Sequence, residues 1–162
     1  SSEPPPLGSW RRMVVGPPLG GETMWSIQYL AYEWLSAPVR ELVDGLTAVH
    51  TAAAYRKPDV SAVHPVVRVH PETGRRSLFV NRSFTKRIVE LSIDESDAVL
   101  EILFRWNERP EFHCRYRWQP GAVGIWDNRC TQHHVLDDFQ GERVIQRVTV
   151  MGDLPKPAVS SR

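Results

Sequence analysis

Sulfur chemistry is scarce in this sequence: of 162 residues only Cys114 and Cys130 are cysteine. Two thiols in a chain of this size do not make a disulfide framework, so the expectation is a reduced, cytoplasmic protein. An excess of one charge sign is also missing. Lys and Arg number 20 against 19 Asp and Glu, a formal net charge of +1. That balance excludes the basic footprint of a nucleic-acid binder. Long apolar runs are absent and the short ones are broken by charge, so no membrane span is expected. The opening SSEPPPLGS is polar and proline-rich, without the pattern of a secretory leader. With no internal repeat and no low-complexity tract, residues 1–162 read as one domain, long enough to bury a core.

Turn residues, by contrast, are plentiful. The 13 prolines and 10 glycines are spread along the chain, as a sheet-rich fold with short connections requires. Ser1 to Ser9 reads as extended loop, Trp10 to Val15 as a strand, and GPPLGG as its stop. After Thr23 the apolar spacing becomes helical, through Ile27, Leu30, Ala31, Trp34 and Leu35. Ser36 can cap a second short helix that Gly45 ends. Thr51 to Ala62 is polar and irregular and reads as a surface loop. HPVVRVHPETGRRSLFVN predicts a hairpin turning at Pro71-Glu72-Thr73-Gly74. Ser92 and Glu95 have the spacing of a capping box, ahead of a helix striped by Val99, Ile102, Leu103 and Trp106. Strands are predicted over Phe112 to Trp118, Val123 to Trp126 and Arg143 to Met151. The fold class is mainly β with helical insertions, a sandwich or jelly roll.

Two polar clusters carry chemistry. Period two places Arg143, Ile145 and Arg147 on one face of the last strand, whose two faces both carry apolar residues. Arginines on a strand buried on both sides need anions. Asp137, Asp138 or Glu142 could supply them, or a ligand with two acidic ends could, since the guanidinium fork suits carboxylates and sulfonates. The second cluster is WDNRCTQHH, Trp126 to His134. It could be part of a metal site, a polar turn, or a Cys130–His133 nucleophile-base pair, though no activating acid accompanies the thiol. If the segment is extended, only one of His133 and His134 faces inward. His50, His64 and His113 look isolated, as structural or solvated side chains. His70-Pro71-Glu72 has a metal-ligand spacing but sits at a hairpin tip.

Together, GGETMWS, AYEWLS, GLTAVH, HPVVRVHPETGRRSLFVN, FTKRI, WQPGAVGIWDNRCTQH and ERVIQRVTVMGD resemble, in order and through nearly the whole chain, the taurine dioxygenase family of iron(II)- and 2-oxoglutarate-dependent oxygenases. The resemblance implies a double-stranded β-helix, or jelly roll. It implies a ferrous ion held by two histidines and a carboxylate, with 2-oxoglutarate as cosubstrate. Dioxygen would drive hydroxylation of a small acidic substrate (a sulfonate, sulfate ester or carboxylate) with release of succinate and CO2. By motif, His133 matches the distal iron ligand, while Arg143 and Thr23 match the residues gripping the far carboxylate of 2-oxoglutarate. Arg147 matches the arginine for the substrate's acidic group, Trp126 a wall of the iron pocket, and Phe84 and Tyr55 aromatic substrate contacts. No separate catalytic side chain is implied, and a homo-oligomer is expected on family grounds only. The family's His-x-Asp motif would fall just before Ser1, so this chain reads as an incomplete copy, the C-terminal major part of such an enzyme. The segment Thr51 to Val63 is shorter than in family members. The competing expectation is a catalytically inactive relative with the same fold, acting as a binding or scaffold protein.

Overall fold

The computed structural model describes residues 4–53 and 56–158. In chain order the elements are β1 (Pro6–Val15), β2 (Thr23–Ile27), α1 (Gln28–Glu33), α2 (Ala37–Val43), β3 (Thr47–Ala52), β4 (Lys57–Pro65), β5 (Val67–Val69) and β6 (Arg76–Leu78). There follow β7 (Thr85–Ile88), α3 (Ile93–Asn107), a 3-10 turn (Pro110–Phe112), β8 (His113–Tyr116), β9 (Val123–Asp127), β10 (Thr131–Val135), β11 (Val144–Met151) and β12 (Lys156–Pro157).

All strand pairs are antiparallel. Among the described residues they form four three-stranded sheets, ordered β11-β1-β9, β10-β2-β8, β12-β5-β6 and β4-β3-β7. The first two sheets are packed together through aromatic rings. Trp25 of β2 meets Trp126 of β9 at 5.2 Å between centroids, and Trp126 meets His133 of β10 at 4.8 Å. This is the jelly roll. Its interior positions follow the two-residue period of β1, where Ser9 and Met13 are fully buried and the neighbouring Trp10 is exposed. A second core lies beneath the helices, where Ala31, Leu35, Val43, Ala48, Val66, Leu78, Ile88 and Leu103 pack together.

The local signals explain several elements directly. Ser92 Oγ accepts from Glu95 N, and the Glu95 carboxylate accepts from Ser92 N, so both sides of the predicted capping box are formed. The hairpin turn between β5 and β6 closes with Gly74 at φ +68°, a conformation most side chains resist.

Four expectations change. Thr23 opens a strand rather than a helix, and α1 begins only at Gln28. The helical spacing misled because Ile27 and Trp34, which set its phase, are both solvent-exposed. Strand β1 starts at Pro6, inside the predicted loop. The predicted loop from Thr51 to Ala62 is largely a hairpin, with Val49 opposite Val63 and Thr51 opposite Ser61. Its backbone pairs while Val60 and Val63 face solvent, so no apolar alternation announced it. Finally, β11 is not buried on both faces. It is an edge strand paired only with β1, and Val148 and Val150 are 60% and 42% exposed.

Candidate active site

WDNRCTQHH spans the end of β9, a tight turn and β10. Asp127 organises the turn. Its carboxylate accepts from Arg129 N at 2.8 Å and from the Arg129 guanidinium at 2.6–3.1 Å. Its carbonyl accepts from the Thr131 hydroxyl. Arg129 also grips Glu72 through Nη1 and Nη2 at 2.9 and 2.8 Å. These charge-assisted bonds hold the Asp127 carboxyl down at about 2, against the cost of its burial.

His70, Asp127 and Cys130 are the one group of potential metal ligands found clustered among the described residues. Their atoms are already committed. His70 Nδ1 accepts from Glu72 N and Thr73 N, so its Nε2–H donates to Asp127 Oδ2 at 3.0 Å. Burial raises the Cys130 thiol pKa, keeping it protonated. The cluster therefore ties the β5–β6 hairpin to the β9–β10 turn. It explains the His70-Pro71-Glu72 spacing structurally and leaves Cys130 no part in a nucleophile pair.

His133 is directed differently. It lies opposite Trp25 in the β2–β10 register, its ring is tilted against Trp126, and Nε2 accepts from Arg11 Nη2 at 3.3 Å. Burial, with the charges of Arg11 and Arg147 added, holds its pKa at about 4. It is a neutral imidazole, the form that ligates metals. Trp126 donates its Nε1–H to Asn128 Oδ1 at 2.8 Å, which fixes the indole against the histidine.

Arg143 and Thr23 flank the glycine pair. Gly20 and Gly21 have φ of +77° and +68°. A Cβ on Gly20 would sit 2.5 Å from Asp138 O, and one on Gly21 3.1 Å from Arg143 Cδ. Only glycine permits this approach. Asp138 Oδ1 accepts from Gly21 N, and Arg143 Nε donates to Gly21 O, both at 3.0 Å. Arg143 Nη2 is buried without a hydrogen-bond partner, and burial lowers the guanidinium's pKa with no carboxylate opposing it. Asp138 turns instead to Gly21 and Arg115. Among the described residues no carboxylate forms an ion pair with Arg143 or Arg147, so the internal salt bridges considered for them are not made. Thr23 is fully buried, and its Oγ1 accepts from Trp118 Nε1 at 2.8 Å, leaving the hydroxyl hydrogen to donate elsewhere.

A cavity of about 1010 Å³ opens beside His133. Arg147, opposite Arg11 in the β1–β11 register, lines it, as does Phe84. Arg143, Thr23 and Trp126 are not among its wall residues. Tyr55 lies outside the described residues. Two features escaped the sequence reading. Arg11 faces His133, and its period-two relation to buried Ser9 and Met13 was the signal for it. His50 and His64 are not isolated. Their rings meet at 5.3 Å on the cavity wall, and both contact Phe79. That pairing joins β3 to β4 across the hairpin read as loop, so no local spacing revealed it.

Known proteins resemble this chain over nearly all of its length. A family model described as "Taurine catabolism dioxygenase TauD, TfdA family" matches residues 1–149. An alpha-ketoglutarate-dependent sulfate ester dioxygenase of Pseudomonas putida is 39% identical over 171 residues, covering 93% of this chain and 56% of the relative. An alpha-ketoglutarate-dependent sulfonate dioxygenase of Saccharomyces cerevisiae is 32% identical, covering 93% and 40%. The crystal structure of a taurine dioxygenase from Burkholderia xenovorans superposes with a TM-score of 0.90 at 46% identity, covering 96% and 56%. The chain thus spans about half the length of these relatives.

Proposed function

The chain belongs to the TauD, TfdA family of dioxygenases, and from that premise we propose that it forms the C-terminal major part of an Fe(II)- and 2-oxoglutarate-dependent dioxygenase. Its substrate would be a small acid: a sulfate ester, a sulfonate or a carboxylate. The observation that carries this reading is Arg143. A half-buried guanidinium with an unpartnered Nη2 and no ion-paired carboxylate suits an anion. Two free thiols, Cys114 and Cys130, suit a reducing compartment such as the cytoplasm.

When bound, ferrous iron and 2-oxoglutarate would supply the oxidant for hydroxylating the substrate's C–H bond. His133 fits one iron position, since burial keeps its imidazole neutral. Arg11 then has to release Nε2. Arg143 holds the far carboxylate of 2-oxoglutarate, and the free Thr23 hydroxyl hydrogen donates to the same group. The Gly20–Gly21 turn fixes Arg143 through the Gly21 carbonyl, so its fork is oriented before the ligand arrives. Arg147, exposed to the cavity, receives the acidic group of the substrate, and Phe84 on the same wall supplies an aromatic contact. Trp126 braces His133.

One observation favours a second reading, that of an inactive relative serving as a scaffold. His133 belongs to no cluster of potential metal ligands among the described residues, and one imidazole does not make a metal site. Calorimetric titration of 2-oxoglutarate, with and without ferrous iron under anaerobic conditions, separates the two. The enzyme reading predicts iron-enhanced 2-oxoglutarate binding; no binding of either favours the scaffold.

A further inference from the structure

The connector from β10 to β11 holds the glycine turn on which Arg143 sits. As the chain leaves β10, Leu136 N donates to the Glu22 carbonyl at 2.9 Å. Two residues on, the Asp138 carbonyl packs against Gly20, where a Cβ would come within 2.5 Å of it. Asp138 Oδ1 accepts from Gly21 N at 3.0 Å, and its other carboxylate oxygen accepts from Arg115 Nη2 at 3.5 Å. Arg115 itself is anchored on Glu22. Gly21 therefore donates to Asp138 through its N–H and accepts from Arg143 Nε through its carbonyl. The next residue, half-buried Phe139, lays its ring 5.8 Å from the Arg143 guanidinium carbon.

A guanidinium donates only in its own plane, while its faces stack on aromatic rings. In Arg143 the Nε edge is bonded to Gly21 and one face meets Phe139, which leaves the Nη edge to present to a ligand. Resting on the reading of Arg143 as the arginine for 2-oxoglutarate, we infer that Asp138 and Phe139 are positioning residues for that cosubstrate. Asp138 fixes the Gly21 peptide that holds Nε, and Phe139 fixes the tilt of the fork. Both act through Arg143 and not on 2-oxoglutarate itself. A two-bond carboxylate contact depends on that orientation, since a turned fork keeps one bond at most.

Anaerobic calorimetric titration of 2-oxoglutarate into the full-length, iron-loaded protein tests this, with each substitution made in the wild type and in Arg143→Lys. Asp138→Ala and Phe139→Leu should each weaken binding about threefold to tenfold. Asp138→Asn, which keeps the acceptor for Gly21 N, should stay within about twofold of the wild type. In the Arg143→Lys background, which has neither Nε nor a planar fork, the same substitutions should cost nothing further. Wild-type affinity in both Asp138→Ala and Phe139→Leu overturns the inference, as do losses just as large in Arg143→Lys; either result leaves the proposed function standing. Should Asp138→Ala fail to fold, Phe139→Leu decides by the same comparison. No 2-oxoglutarate binding by the wild type defeats the reading of Arg143, and this inference with it.

Discussion

Replacing Arg143 with leucine probes the proposed 2-oxoglutarate site where the structure is most explicit. The guanidinium makes one internal bond, from Nε to the Gly21 carbonyl at 3.0 Å, and leaves a buried Nη2 unpartnered. In the unliganded protein the substitution trades that single bond, worth about 1 kcal/mol net, against relief from burying an unopposed charge. Stability should therefore change by no more than about 1 kcal/mol, a shift of roughly 2–4 °C in Tm for a chain of this size. Ligand binding should respond quite differently. Losing even one charge-assisted bond to a carboxylate costs about 1.5–3 kcal/mol, a fall in affinity of roughly 10- to 150-fold. Arg143→Lys keeps the charge but loses the fork and should fall between. Calorimetric titration of 2-oxoglutarate with the three proteins, alongside thermal melts, reads both quantities. Unchanged 2-oxoglutarate affinity in Arg143→Leu refutes the assignment. A melt lowered by several times the expected shift would show instead that Arg143 is a structural cation.

Further outcomes follow from the same geometry. Gly21→Ala forces a side chain into φ +68° and against Arg143 Cδ; it should cost about 1–2 kcal/mol and weaken 2-oxoglutarate binding, both visible in melts and titrations. Arg129→Met removes the cation that the half-buried Asp127 accepts from and should destabilise by about 1–3 kcal/mol; chemical denaturation showing no loss would contradict the tie described for the β9–β10 turn. Arg147→Ala should raise the Kd of an acidic substrate while sparing that of 2-oxoglutarate, and the reverse pattern would exchange the two arginines' roles. His50 has a folded pKa of about 4 against an ordinary 6.5. Its contribution to stability is thus complete above pH 6.5 and is lost as pH falls towards 4. His50→Phe should flatten that part of the stability–pH curve, and an unaltered slope would place the effect elsewhere.

The legible parts of this molecule were those encoded locally. Ser92 and Glu95 announce α3 because a capping box needs only residues three apart, and Gly74 announces its turn through one backbone angle. The period-two argument put Arg143 and Arg147 on one face of the last strand, of which only Arg147 lines the cavity, and it misjudged the burial of β11, because burial depends on which strands lie alongside and β11 has only β1. The β3–β4 hairpin was hidden because paired backbone carries no sequence pattern when Val60 and Val63 face solvent. At the site, GGET and WDNRCTQH are recognisable strings, yet their physical logic is long-range. Gly21 matters because Arg143, far along the chain, packs on it, and Asp127 matters because His70 and Arg129 converge there. The His50–His64 pair could not have been found without knowing that their strands adjoin.

The central claim is that this chain builds a 2-oxoglutarate-dependent oxygenase around His133. Its most direct test is succinate formation by the full-length protein, with ferrous iron, dioxygen, 2-oxoglutarate and a panel of sulfate esters, sulfonates and carboxylates, compared with His133→Ala. Substrate-dependent succinate release by the wild type, abolished in the variant, is the predicted result; no 2-oxoglutarate turnover with any acid, or equal turnover in His133→Ala, would contradict it.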